Sequence, residues 1–317
     1  MLTLLLFFSK TVNCIVKDAQ FYMNLPFYIL DVFAQNKYEG NQLAVFCNAQ
    51  NLSTAQMQVI AREINFAEST FILSDAPING GYDVRIFTPD TELPFAGHPT
   101  IGTSWLILNK IAPGNNVKLN LKVGQIPVVK HPDGALWLTA AQPTFKETPF
   151  SSAALASFSG ILPAQITEFG HVSTGVPCLV IYVESVATLA QLNFNVEAAM
   201  QFFVDNALYK TNSPDGISSQ LYWVAATSEN SFQTRMFCWE NNRLIEDPAT
   251  GSAASCLLAY LLKNKSPVVE AHIRQGVEMG RNARIYLKGQ PLPNKRRRPR
   301  SPDCDGRVGS VNQNHWS

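Results

Sequence analysis

Three ionisable side chains carry the chemistry that this sequence offers: Glu68 in NFAESTFIL, His98 in ELPFAGHPTIGTS and Asp247 in EDPATGSAASCLLAYLL. Two carboxylates and an imidazole can take and return protons, so the reaction class they suggest is general acid–base transfer on a bound small molecule. His98 and Asp247 each stand one position before Pro-x-x-Gly, and each leads into an apolar run, roughly residues 103–108 and 253–262. A helix that is apolar on every face is buried, yet its first turn must still satisfy about four backbone N–H groups. If such an end opens into a cleft, those N–H groups and the positive end of the helix dipole form a site for a small carboxylate. The competing reading is that Asp247, Thr250 and Ser252 simply cap a helix. Glu68 stands at a helix-to-strand junction, where a glutamate taken alone is more often solvated surface.

Other chemistries fall away on missing residues. GHPTIGTS has the spacing of a phosphate loop, but Thr103 follows Gly102 where that loop needs lysine. There is no GxGxxG after a strand and no GxSxG elbow. The five histidines form no HxH or HExxH pattern, so no metal site is expected. The six cysteines include no CxxC and sit mostly in apolar runs, which reads as reduced core thiols in a cytoplasmic protein. A net charge of +1 with 15% charged residues excludes a disordered or strongly polyionic class, and no nucleic-acid partner is expected. The apolar run in MLTLLLFFSK is too short to span a bilayer and lacks the marks of a signal peptide.

The elements that must hold these side chains follow a repeated plan. At 317 residues two domains are expected. FYILDVF, QLAVF, STFIL and YDVRIF read as strands, and the segment after Ser53 reads as a helix with Met57, Ile60, Ala61 and Ile64 on one face. Two stretches then share a layout: Arg-x-Phe at Arg85 and again at Arg235, a polar turn, His98 or Asp247 before Pro-x-x-Gly, an apolar helix, and a closing Asn-Lys. A repeat this long means two similar domains. We place them at residues 23–145 and 146–290.

GNQLAVF, AREINFAESTFI, RIFTPDTELPFAGHPTIGT, STGVPCLV, EDPATGSAA and RQGVEMGR, in this order, resemble the phenazine biosynthesis PhzF-like family over residues 23–289. The resemblance implies an α+β, diaminopimelate epimerase-like fold: two pseudo-symmetric domains, each a β-barrel-like sheet around a central buried helix, with the active site in the cleft between them. It implies that Glu68 transfers the proton and that His98 and Asp247 assist it. It also implies that Gly97, Gly251 and Ser252 bind substrate. The implied activity is isomerisation of a small amino or hydroxy carboxylic acid of the 2,3-dihydro-3-hydroxyanthranilate type, in a homodimer, with no cofactor and no metal. For Glu68 to work near neutral pH, partial burial should raise its pKa. Diaminopimelate-type epimerases use opposed cysteines at the two loops. Here Ala96 precedes Gly97, and Cys256 lies well into the second helix, so a two-thiol racemase is not expected. Epimerisation of an amino acid by other bases, and a catalytically silent ligand-binding protein, remain the alternatives.

The two ends of the chain depart from this plan. Residues 1–22 precede a second methionine, Met23, and read as an upstream extension. Residues 291–317 hold six basic residues against Asp303 and Asp305, a net of +4, and show no apolar alternation. This segment reads as a disordered or frame-shifted tail whose loss of closing strands would expose a sheet edge.

Overall fold

The computed structural model describes residues 25–210, 216–240, 242–291 and 304–310. The expectations for residues 1–22 and Met23, and for the basic run 295–300, lie outside the described residues. The chain divides into two compact units, one running to Leu138 and the other beginning at Thr139.

In the first unit, strands β1 (Phe27–Val32) and β2 (Asn41–Phe46) pair antiparallel. Helix α1 (Thr54–Ile64) crosses to β3 (Glu68–Ile72), which lies parallel to β2. Strand β4 (Tyr82–Phe87) returns antiparallel, and the short β5 (Glu92–Leu93) folds back on it. Helix α2 (Gly97–Leu106) then leads to β6 (Asn116–Leu121), parallel to β4, and to the antiparallel β7 (Gly124–Lys130) and β8 (Leu136–Thr139).

The sheet carries helices on both faces. α1 starts at the expected Ser53, which forms a reciprocal capping box with Gln56. Its buried Met57 and Ala61 cover a row of rings in which Phe46 stacks on Phe27 at 5.2 Å and on Phe71 at 4.9 Å. On the other face α2 packs against β1, β2, β3 and β6, so the sheet curls around it. Gly102 makes that approach possible, because a Cβ there would lie 2.6 Å from Leu43 Cδ2 and 2.8 Å from Val32 Cγ2.

The second unit opens with β9 (Thr144–Lys146) and α3 (Ser152–Ser159), then β10 (Ile166–Ser173) and β11 (Pro177–Val183), paired antiparallel. Helices α4 (Val186–Gln191) and α5 (Val196–Asp205) lead to β12 (Gln220–Ser228), parallel to β11. β13 (Ser231–Glu240) and β14 (Arg243–Asp247) follow antiparallel. After helix α6 (Gly251–Asn264), β15 (Val269–Gln275) lies parallel to β13 and β16 (Ala283–Pro291) antiparallel to β15. From β10 to β16 the succession of parallel and antiparallel pairings is that of β1 to β7. α6, buried from Ala253 through Leu261, packs on β10, β11, β15 and β16.

Residues 304–310, within the tail expected to be unstructured, form a further strand, β17 (Cys304–Ser310). Strand formation requires backbone partners and not an alternating apolar face, which is why the pattern of the tail did not reveal it.

The repeated Arg-x-Phe is a repeated ion pair. Arg85 forks onto Glu92 at 2.8 and 2.7 Å, and Arg235 onto Glu246 at 2.8 and 2.8 Å. Each guanidinium also lies over the ring two residues on, at 5.1 Å from Phe87 and 5.0 Å from Phe237. These pairs fix the equivalence of the two units and correct one expectation. Phe87 pairs with Glu92 and Ile86 with Leu93, whereas Phe237 pairs with Glu246 and Met236 with Asp247. Both helices begin five residues after the glutamate, at Gly97 and Gly251. His98 is therefore the counterpart of Ser252, and Asp247 the counterpart of Leu93. The two Pro-x-x-Gly stretches do not superpose, because Pro99 lies inside the first turn of α2 while Pro248 precedes α6. The first apolar helix likewise spans Gly97–Leu106 and not 103–108.

Candidate active site

Glu68 is the first residue of β3, set beside Leu43 of β2, and its side chain keeps 16% of its surface exposed. His98 is the second residue of α2 and is only 4% exposed. The curled sheet thus brings the strand-end carboxylate to the helix start, with Glu68 Oε2 3.4 Å from His98 Nε2.

Burial drives the His98 pKa down from 6.5 to about 3, against the opposing effect of a hydrogen bond to the Gln42 backbone. The imidazole is therefore neutral near pH 7, and its contact with Glu68 is not an ion pair. Nε2 is buried and has no hydrogen-bond partner among the described residues, while Nδ1 lies 3.4 Å from Asn41 Nδ2. The ring thus presents Nε2 to the Glu68 carboxylate. A shared proton, or a proton of a bound molecule, is what such a pair accommodates.

In the second unit Asp247 ends β14 and is 8% exposed. The Thr250 hydroxyl donates to its Oδ2, and Gln275 Nε2 donates to its backbone carbonyl at 2.8 Å. Ser252, the second residue of α6, exchanges hydrogen bonds with Gln220 at 3.1 and 3.2 Å. The parallel pairs Leu43–Glu68 and Cys178–Gln220 occupy the same place in the two sheets, so Gln220–Ser252 is the counterpart of Glu68–His98.

Neither helix is capped by the side chain of the residue directly before it. Residue Ala96 before α2 has no side chain able to cap, and Thr250 before α6 makes no side-chain cap bond because its hydroxyl is turned to Asp247. Gly97 and Gly251, both buried, are the first residues of these two helices.

Glu68, His98 and Gly97 are thus neighbours in one unit, and Asp247, Gly251 and Ser252 in the other. Sequence reasoning missed Gln220 and Gln275, and singled out Thr250 only as a possible cap. Gln220 was reachable by running the Arg-x-Phe alignment back through the preceding hairpin, where Glu68 and Gln220 hold the same place. Gln275 sits in RQG, which drew notice only as part of the resemblance. Among the described residues no group of three or more histidine, cysteine or acidic side chains is arranged to hold a metal ion.

Two repeated curled sheets, each around a buried helix, define the diaminopimelate epimerase-like fold. Structural comparison agrees: a PhzF-family phenazine biosynthesis protein of Bacillus anthracis matches with a TM-score of 0.73 at 20% identity, over 90% of this chain and 95% of that one. A hydroxyproline epimerase of Agrobacterium vitis matches with a TM-score of 0.56 at 14% identity, over 89% of both chains. In sequence, the trans-2,3-dihydro-3-hydroxyanthranilate isomerase of Pseudomonas aeruginosa is 32% identical over 275 residues, 83% of this chain and 90% of that protein. The family model described as phenazine biosynthesis-like protein matches residues 30–304, and the chain belongs to that PhzC-PhzF family. It is an enzyme of the isomerase class. No helix among the described residues is long and apolar enough to cross a membrane.

Proposed function

We propose that the protein isomerises a small carboxylic acid bearing an amine or hydroxyl, of the trans-2,3-dihydro-3-hydroxyanthranilate type, by general acid–base proton transfer through Glu68. The observation that carries this reading is the contact of Glu68 with a neutral, buried imidazole whose Nε2 has no hydrogen-bond partner among the described residues. Glu68 takes a proton from a substrate carbon and returns it to another position. His98 Nε2, 3.4 Å away, holds the proton or the substrate's polar hydrogen in the interval. From the family resemblance, Asp247 supports the shift, and Gly97, Gly251 and Ser252 bind substrate. No cofactor or metal is invoked in these steps.

Two-base inversion of an amino acid, the alternative within this fold, needs a base from each unit. The counterparts of Glu68 and His98 are Gln220 and Ser252, neither of which takes a proton near neutral pH. Such an inversion would have to use Asp247 as its second base, and inversion without double-bond migration would distinguish it from the proton shift. The enzyme is further proposed to act in the cytoplasm, in keeping with the free thiols of Cys47, Cys178, Cys238 and Cys256. A homodimer is proposed from family resemblance alone, and light scattering of the purified protein tests it.

The decisive experiment is deuterium incorporation from heavy water into trans-2,3-dihydro-3-hydroxyanthranilate, with wild type compared to Glu68→Gln. Loss of exchange by about 100-fold or more in the variant is expected. Equal exchange in both proteins would refute the role of Glu68, and a folded wild type that exchanges nothing would refute this substrate.

A further inference from the structure

Gln275 is fully buried, and its amide makes every hydrogen bond an amide can make. Nε2 donates to the Asp247 backbone carbonyl at 2.8 Å and to Thr250 Oγ1 at 2.9 Å. Oε1 accepts from the Thr250 backbone N–H at 3.3 Å and from the Tyr222 hydroxyl at 3.2 Å, and Tyr222 in turn accepts from Thr234 at 3.1 Å. These bonds permit one orientation of the amide. Because Thr250 Oγ1 accepts from Gln275, its single proton is left for Asp247, to which it donates. Gly276 lets the strand end reach this turn: its φ is +73°, and a Cβ there would lie 2.6 Å from the Pro248 carbonyl.

The fold itself does not require this network. In the first unit the counterparts of Asp247, Thr250 and Thr234 are Leu93, Ala96 and Val84. Continuing the β4–β6 register by one residue makes Leu121 the counterpart of Gln275. The same topology is thus built with apolar groups at these four places. A buried polar network confined to the unit that carries Asp247 therefore serves Asp247.

We propose that Gln275, acting through the Thr250 hydroxyl, is a positioning residue that fixes the direction of the Asp247 carboxylate for the proton shift. The proposal rests on the reading of Asp247 given above. Its test uses Gln275→Leu, Thr250→Val, their double variant, and the near-isosteric Gln275→Glu, which keeps the acceptor but loses both donors.

With trans-2,3-dihydro-3-hydroxyanthranilate as substrate, each single variant should lower kcat on the order of 10-fold or more while KM changes less than about threefold. The double variant should be no worse than either single one, because the two residues act in series. Additive losses, or losses in KM alone, would overturn the proposal. A second readout is independent of turnover: the Thr250 hydroxyl proton, held between two partners, should give a slowly exchanging low-field NMR resonance in wild type. That resonance should vanish or move in Gln275→Glu and Gln275→Leu while circular dichroism stays unchanged. Its absence from wild type, or its persistence unshifted in folded variants, overturns the positioning role. If wild type is inert on this substrate while the resonance responds as expected, the substrate assignment fails and the positioning of Asp247 stands.

Discussion

Lowering the pH from 7 to 5 should cost this protein about 2 kcal/mol of stability through His98 alone. In the folded chain its pKa is about 3 against an ordinary 6.5, so the unfolded chain binds a proton that the native imidazole refuses. The sign follows: stability is fully present above about pH 6.5 and is lost as the pH falls toward 3. At pH 5 the unfolded histidine lies about one and a half units below its pKa, and at about 1.4 kcal/mol per unit this gives the figure above. Against a typical total of about 5 to 15 kcal/mol, that is a large share. Urea unfolding of wild type and His98→Gln at pH 7, 6 and 5, followed by tryptophan fluorescence, measures it. The variant should be less stable at pH 7 yet lose about 2 kcal/mol less than wild type on going to pH 5. His171, lowered to about 4 by burial and by Lys146, retains its own acid sensitivity in both proteins. Parallel pH dependences for the two proteins, within about 0.5 kcal/mol, would refute a buried neutral His98.

Two further expectations concern the frame around the site. Gly102→Ala should destabilise the first unit by about 1 to 3 kcal/mol, since its Cβ has to displace Leu43 and Val32, and thermal unfolding checks it. Arg235→Met should destabilise by about 3 kcal/mol, and by more than Arg85→Met, as read from urea midpoints. The reason is that Arg235 is the more enclosed, with 11% of its side chain exposed against 24%, and also donates to the Leu189 and Leu192 carbonyls.

The linear sequence determined a good deal. The strands of the first unit, the Ser53-capped helix, the two apolar helices and the duplication are all local or repeated patterns, and burial of apolar faces enforces them wherever they occur. Arg85 and Arg235 marked the repeat because one ion pair was kept twice. Glu68, His98 and Asp247 stood out as the groups able to move protons, and family resemblance gave them roles.

What the sequence could not decide was which residues are equivalent and which meet. The Pro-x-x-Gly match joined His98 to Asp247, but strand register sets Asp247 opposite Met236 and its counterpart Leu93 opposite Ile86. Register depends on hydrogen bonds between strands, which a local motif does not encode. Gln275 reaches Thr250 across 25 positions and Tyr222 across 53, contacts that exist only once β12, β13 and β15 lie side by side. The neutrality of His98 is likewise a tertiary result, because an imidazole loses its charge when the sheet closes around it and removes the water that would solvate the cation.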